Sequence, residues 1–295
     1  MSPAIESHRD LIYSTRTPAK LNIRLKVTGR RSDGYHELVS IMVPVDLCDL
    51  LEIAIEDSRK IKLICDGLNV PDDENNLVYR ATDSFLSRAG IKKGVSVKLT
   101  KKIPVAAGLG GGSSDAAATL LSLNQIWPGR LPFSELHDMA AEIGADVPFF
   151  LYCRPAIVRG IGETLEFLEK WPEFWYVIVT PPIQVSTAWV YANLKLELTS
   201  DEYNNTLSFL KNDLFTVSRL LENDLEKVTS SRFPIIKKIK KDLLKCGAKG
   251  VLMTGSGPSV FGIFSSSEQA GLANHALTSK GLGDVFMGTN WERKS

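Results

Sequence analysis

The sequence predicts a two-domain protein of mixed α and β structure, and three observations carry that expectation. A chain of 295 residues with 44% hydrophobic and 23% charged content has a globular composition long enough for one large domain or, as the better fit, two ordinary ones. Strand-like patterns recur through residues 20–103, whereas the second half is richer in helix. Turn residues at Arg159-Gly-Ile-Gly-Glu163 and the break at Pro181-Pro182 punctuate the middle of the chain and place a boundary near 155–165. The expected division is an N-terminal extension at 1–16, a first domain at 17–160 and a second at 161–295.

Bulk properties exclude several classes of function. The 35 Lys and Arg nearly balance the 34 Asp and Glu, for a formal charge of +1. No strong field points to nucleic acid or a membrane surface, and a small-molecule partner fits better. Cys48, Cys65, Cys153 and Cys246 form no C-x-x-C pair, and His8, His36, His137 and His275 have no metal-site spacing, so reduced thiols in a cytoplasmic compartment are expected. Glu6, His8, Arg9 and Asp10 stand where a signal peptide needs an apolar core, and no apolar run approaches the roughly 18 residues of a membrane span. The expected assembly is a monomer or weak homodimer.

The elements follow in order. Residues 1–16 show little periodicity and read as a loosely ordered extension. Residues 20–27 alternate sharply, with Leu21, Ile23, Leu25 and Val27 opposite Lys20, Asn22, Arg24 and Lys26, the signature of a half-buried strand. Residues two apart project from one side, so Lys20 and Asn22 can reach one ligand together. Residues 30–36, RRSDGYH, read as a turn on the strength of Asp33-Gly34, and strands are expected at 38–45, 50–56, 60–65 and 95–103, with a helix at 76–88 stopped by Gly90. A helix at 133–143 with Ser134 as its cap leads into a short apolar strand at 144–150 that carries Asp146 in the tight connection. In the second half a strand at 176–180 precedes helices at 187–194, 206–211, 214–225 and 234–245. A hairpin at 250–264 with a glycine-rich turn, a helix at 268–277 and a strand at 284–287 complete the chain. Lys237, Lys238, Lys240 and Lys241 flank the apolar stripe Ile235, Ile236, Ile239, Leu243 and Leu244, so they read as a solvated helix face.

Between 95–103 and 133–143 lies the stretch PVAAGLGGGSSDAAATL, residues 104–120. Gly108, Gly110, Gly111 and Gly112 precede Ser113, Ser114 and Asp115 and then an alanine-rich run, which reads as a loop feeding a capped helix. Glycines bring backbone N–H groups close to a ligand, and a helix N-terminus offers unpaired donors and partial positive charge, so the stretch is a candidate anion cradle, most naturally for phosphate. A surface loop before an amphipathic helix is the other reading. The stretch is neither a Walker A loop nor the G-x-G-x-x-G fingerprint, since Ser113 stands where the third glycine belongs.

A phosphate cradle implies phosphoryl transfer, in which the protein supplies positioning and electrostatics. Lys20 and Asp146 are the candidate catalytic residues: Asp146 to accept the proton of an attacking hydroxyl, Lys20 to stabilise charge or orient the carboxylate. Ser113 or Ser114 is a candidate for holding Mg²⁺ or phosphate. Taken alone, Lys20 reads as a solvated strand lysine and Asp146 as a turn-forming aspartate.

Three segments resemble the motifs of the GHMP kinases: PAKLNI at 18–23, the glycine-rich stretch at 104–118, and MTGSGPSVF at 253–261. Within that family, TGRRSDGYHEL at 28–38 together with GADVPFF at 144–150 is similar to the branch acting on a cytidine diphosphate-linked polyol. The resemblance implies an α+β protein, with an α/β first domain of the ribosomal protein S5 domain 2-like type holding a left-handed βαβ crossover, a ferredoxin-like second domain and the active site between them. It implies ATP and Mg²⁺, with Pro104, Ala106, Gly108, Leu109, Gly110, Gly111, Gly112, Ser113, Ser114 and Asp115 binding ATP. Lys20 and Asp146 become the catalytic pair, Asn22 positions the substrate, and Tyr35 and His36 border its cytosine end. Thr187, Tyr191, Gly255 and Ser256 complete the substrate side. Tyr191 is then a stacking aromatic for the base, or else a core aromatic of its helix. The resemblance leaves residues 1–16 uncovered.

Overall fold

Alternating apolar residues build two long strands, β1 (Tyr13–Arg30) and β2 (His36–Glu56). Asp33 and Gly34 reverse the chain between them: Gly34 takes φ +91°, Arg31 N–H donates to Tyr35 O over 2.7 Å, and Asp33 Oδ1 accepts Tyr35 N–H. The computed structural model describes residues 12–195 and 214–291. Residues 13–16, expected in a loose extension, are the start of β1, while 1–11 lie outside the described residues. Likewise β2 is one strand where two are predicted at 38–45 and 50–56. The polar residues Asp46 and Asp49 interrupt the apolar pattern, but Asp49 is satisfied by Lys101, Lys102 and Ile103, so extended backbone continues through it.

The described residues form two compact units. The first contains 12–17, Cys48–Val105 and Gly111–Leu151. Here residues 50–56 of β2 pair antiparallel with β4 (Gly94–Lys101), and β3 (Ile61–Gly67) lies parallel to β4. Parallel neighbours need a crossover, and α1 (Leu77–Arg88) supplies it, its N-terminus capped by Asn76 Oδ1 accepting Val78 N–H at 2.9 Å. Helices α2 (Gly111–Ile126) and α3 (Phe133–Ile143) pack against α1; the fully buried Ala116, Ala117 and Ala81 make the approach close. The N-cap of α3 is Pro132 without a side-chain bond, so Ser134 is inside the helix and not its cap. The strand predicted at 144–150 is instead the helix α4 (Val147–Tyr152). A four-residue apolar run fits either state, and Pro148 is well tolerated in a first helical turn.

The second unit contains Pro18–Leu47, Ala106–Gly110 and the rest of the chain from Tyr152. Residues 38–42 of β2 pair with β5 (Ala156–Gly160), which pairs with β6 (Thr164–Phe167), so the predicted turn at 159–163 is the tip of a hairpin. A separate antiparallel sheet runs β11 (Asp284–Thr289), β7 (Trp175–Thr180), β10 (Val260–Phe264), β9 (Gly250–Met253). In the chain, α5 (Thr187–Ala192), α6 (Leu214–Leu220), β8 (Glu222–Asn223), α7 (Asp224–Arg232) and α8 (Ile235–Lys245) lie between β7 and β9, and α9 (Ser267–Thr278) lies between β10 and β11. Four strands in spatial order 4-1-3-2 with crossover helices are the ferredoxin-like arrangement. Residues from α8 and α9 bury Ile236, Ile239, Leu243, Ala270, Ala273 and Leu277 in the core beneath this sheet. Leu244, assigned to the apolar stripe from sequence, faces solvent instead.

The helix predicted at 214–225 ends at Leu220. Glu222 and Asn223 pair in parallel with Arg24 and Leu25 of β1, and Glu222 makes salt bridges to Arg24 and Lys26, so β pairing overrides local helical periodicity. The helix expected at 206–211 lies outside the described residues. Among the described residues no helix is long and apolar enough to cross a membrane.

Candidate active site

Strand geometry puts Lys20 and Asn22 on one side of β1, and Lys20 Nζ donates to Asn22 Oδ1 at 2.5 Å. The expected partly exposed polar face is found at Arg24 and Lys26 but not at the other two positions: Lys20 is 4% and Asn22 1% exposed. Burial of polar groups requires partners, and they are present. Asn22 Nδ2 donates to Ser40 Oγ at 2.8 Å, and Ser40 Oγ passes a hydrogen bond to Arg24 O at 2.7 Å. Thr254 accepts Asn22 N–H at its hydroxyl at 3.0 Å. The same hydroxyl lies 3.2 Å from Gly108 O and 3.3 Å from Asn22 Oδ1, two acceptors for its single proton. Lys20 N–H donates to Leu109 O at 2.9 Å. In the second unit, therefore, residues of all three motifs meet around one threonine.

The loop Ala106–Gly110 needs unusual backbone. Ala106, Gly108 and Gly110 have φ of +51°, +77° and +72°; left-handed residues at alternate positions make the concave backbone nests that hold anions. A Cβ on Gly108 would stand 2.2 Å from Thr254 O, so only glycine allows the loop this close to the third motif.

The loop continues into α2, which starts at Gly111 in the first unit. Ser113, Ser114 and Asp115 are therefore inside the helix, not capping it. Ser113 is half-buried and Ser114 is buried, so Ser113 presents the more accessible hydroxyl. Asp115 is 1% exposed. Its Oδ1 accepts Thr17 Oγ1 at 2.5 Å and its Oδ2 accepts Lys101 Nζ at 2.7 Å. Lys101 also donates to Asp49, whose Oδ1 takes Lys102 N–H and Ile103 N–H at 2.5 and 2.8 Å. Burial, reinforced by the charge of Asp49, pushes the Asp115 carboxyl up to about 7 against the pull of Lys101. Burial pulls the Lys101 ammonium down, but Asp115 and Asp49 outweigh it and hold its pKa above the ordinary value.

Asp146 immediately precedes α4 and is half-buried. Tyr35 sits at the tip of the β1–β2 hairpin and is 62% exposed. His36 stacks on Tyr191 with ring centroids 5.0 Å apart at 26°. Burial, and then the nearby Arg30, lower the pKa of His36, favouring a neutral imidazole at neutral pH. Tyr191 is carried by α5, whose N-terminus Ser186 caps by accepting Trp189 N–H; the tyrosine also packs partly against the core. Thr187 and Ser256 share a hydrogen bond of 2.8 Å between their hydroxyls.

Among the described residues no group of three or more His, Cys, Asp or Glu side chains can hold a metal ion, and Asp115 is committed to Lys101. The donor set therefore does not fit an all-protein metal cage. Sequence reading missed Thr254 as the hub, although it lies inside the third motif. It also missed Lys101, Asp49 and Thr17, which sit 14, 66 and 98 positions from Asp115 and give no local signal.

Two family models match the chain: the GHMP kinases N terminal domain over residues 76–154 and the GHMP kinases C terminal domain over 207–282. A 4-diphosphocytidyl-2-C-methyl-D-erythritol kinase of Citrifermentans bemidjiense is 47% identical over 253 residues, 86% of this chain and 90% of that protein. The enzyme of the same name from Syntrophotalea carbinolica is 47% identical over 263 residues, 89% of this chain and 93% of its own. A crystal structure of 4-(cytidine 5'-diphospho)-2C-methyl-D-erythritol kinase superposes with TM-score 0.82 at 36% identity, covering 95% of this chain and 100% of that one. The chain belongs to the GHMP kinases, in the group of 4-diphosphocytidyl-2-C-methyl-D-erythritol kinases.

Proposed function

We propose that this chain transfers the γ-phosphoryl group of ATP to the 2-hydroxyl of 4-diphosphocytidyl-2-C-methyl-D-erythritol, a step of the methylerythritol phosphate route to isoprenoid precursors. The observation that carries the reading is the convergence on Thr254 of the lysine strand, the glycine loop and the third motif, in a chain 47% identical to kinases of that name. In the reaction the substrate oxygen forms a bond to the γ-phosphorus, the bond from that phosphorus to the β–γ bridging oxygen breaks, and ADP leaves.

In this reading Asp146 accepts the hydroxyl proton, a role typically contributing about 10²- to 10⁴-fold, and Lys20 orients that carboxylate or offsets charge on the transferring group. Asn22 holds Lys20 and positions the acceptor. Residues of the stretch 104–115 form the ATP site: the backbone of Ala106, Gly108, Leu109 and Gly110, with Gly111, Gly112, Ser113 and Ser114 at the helix N-terminus, cradles the phosphates, and Pro104 starts the turn. Asp115 fixes the helix from behind. Ser113 or Ser114 would hold Mg²⁺, which would supply charge neutralisation at the phosphates. Tyr35, His36 and Tyr191 take the cytosine end, Thr187, Gly255 and Ser256 the rest of the substrate. Residues 17–160 serve as the ATP-binding domain and 161–295 as the substrate domain, one family model lying on each side of 160. The enzyme works in the cytoplasm, where its four cysteines stay reduced, as a monomer or weak homodimer.

The test is an ADP-release assay with three acceptors. Turnover with the cytidine substrate and none with homoserine or mevalonate supports the reading; turnover with homoserine or mevalonate and no affinity for CDP overturns the substrate. Base stacking on an aromatic is worth roughly 1–3 kcal/mol. Tyr191→Ala is therefore expected to weaken CDP binding about 5- to 150-fold while leaving the KM for ATP unchanged.

A further inference from the structure

The turn after β9 carries Gly255 and Ser256, and its backbone is held from below by side chains of one helix. Asn223, the N-cap of α7, has two jobs. Its Oδ1 accepts Leu225 N–H at 2.9 Å and so caps the helix, while its Nδ2 donates to both Met253 O at 2.7 Å and Gly255 O at 2.8 Å. Three residues on, Glu226 Oε2 accepts Met253 N–H at 2.9 Å, and its other oxygen is fixed by Lys240. Three further on, Thr229 Oγ1 donates to Ser256 O at 3.1 Å. The methyl group of Thr229 lies 3.4 Å from where a Cβ on Gly257 would be, so the turn rests on that side chain. Spacing of three keeps Asn223, Glu226 and Thr229 on one side of the helix. Asn223 and Thr229 are buried, where hydrogen bonds are most directional in effect and most costly to leave unmade.

What the clamp holds is functional geometry and not only core. Thr254, between the clamped Met253 and Gly255, is the hub that bonds Asn22 and Gly108, and Ser256 Oγ meets Thr187 at the start of α5, the helix that carries Tyr191. We propose that Asn223, Glu226 and Thr229 are positioning residues for phosphoryl transfer. They act through the backbone of 253–256 to set the Thr254 hydroxyl and, through Ser256 and Thr187, the helix bearing the cytosine-stacking ring. This inference rests on the assignment of Gly255 and Ser256 to the substrate side.

Because Asn223 both caps and clamps, truncation to Ala confounds the two roles. Asn223→Asp keeps a cap acceptor but presents a carboxylate to two carbonyl oxygens, and Thr229→Val keeps shape while deleting the hydroxyl. The experiment measures kcat and KM for the cytidine substrate and for ATP, with thermal unfolding, on the full chain and on Asn223→Asp, Thr229→Val and Thr229→Ser. The expected result is a fall in kcat of at least tenfold for Asn223→Asp and several-fold for Thr229→Val at temperatures where both are fully folded. KM for the cytidine substrate rises, KM for ATP changes less than twofold, and Thr229→Ser restores kcat. An active wild type whose Asn223→Asp and Thr229→Val variants keep wild-type kcat and KM, whatever their unfolding temperatures, overturns the clamp. A wild type inactive on the cytidine substrate overturns the functional reading instead, and a Thr229→Ser that is as slow as Thr229→Val also overturns the clamp, since the hydroxyl is then not what acts.

Discussion

The two units each hold a glycine-bearing stretch of backbone in place, and they do it with different chemistry. Behind α2 the first unit buries three ionisable groups, Lys101, Asp49 and Asp115, with a single ammonium for two carboxyls. Around the third motif the second unit relies mainly on neutral amides and hydroxyls, Asn22, Ser40, Thr254 and Asn223, with two charged groups at its margins, Lys20 on Asn22 Oδ1 and Glu226 on Met253 N–H. Charge-assisted bonds are stronger but depend on protonation, and a buried ion pair broken on one side leaves an uncompensated charge. Neutral networks are weaker per bond and indifferent to pH. The difference is that α2 is held from behind by a charged cluster whose strength depends on protonation, while the turn at 253–256 is held mostly by amide and hydroxyl bonds that no titration removes.

The largest effect is expected from breaking the charged side. Lys101→Met leaves two carboxyls facing each other in a buried space, and loss of one partner of a buried pair costs about 3–5 kcal/mol. Urea unfolding of this variant should show that loss at pH 8 and a smaller one at pH 5, where protonation relieves the repulsion. An equal loss at both pH values breaks the comparison. On the neutral side, Thr254→Val strips a hydrogen bond from Asn22 N–H and another from Gly108 O, each buried group left unmade costing about 1–3 kcal/mol. Its stability loss should stay constant from pH 5 to 8, and its kcat should fall with little change in ATP binding.

The smallest and most discriminating effect is a slope. The folded chain keeps the Asp115 proton up to about 7, whereas an ordinary aspartate gives it up near 3.8. Between those values the folded state binds more protons than the unfolded state, so this group's contribution to stability is fully present below 3.8 and is lost as pH rises toward 7. Asp115→Asn keeps an acceptor for Lys101 or Thr17 and removes the titration, so the plot of unfolding free energy against pH should flatten between 4 and 7. An unchanged slope assigns the titration to another group.

The same contrast explains what was legible in the sequence. Lys20 and Asn22 could be placed on one side of β1 because side-chain alternation is a local property, and Asp33-Gly34 announced its hairpin for the same reason. The glycine loop announced its tight backbone, though not that Gly108 exists to let Thr254 O approach. Misreadings fell where tertiary partners override local pattern. Asp49 continues β2 because Lys101 and two backbone N–H groups satisfy it, Glu222 ends α6 because it pairs with Arg24 and Lys26, and the apolar run after Asp146 folds as helix. Asp115 looked like a cap because its partners, Lys101 and Thr17, are distant in the chain.

The central claim is tested most directly by Asp146→Asn in a single-turnover transfer of labelled γ-phosphate from ATP to the cytidine substrate. CDP and ATP affinities are measured on the same preparation. The account predicts a transfer rate at least 10²-fold below wild type, with both affinities within a few-fold of wild type and Lys20→Ala behaving similarly. Transfer at a near-normal rate by Asp146→Asn would contradict it.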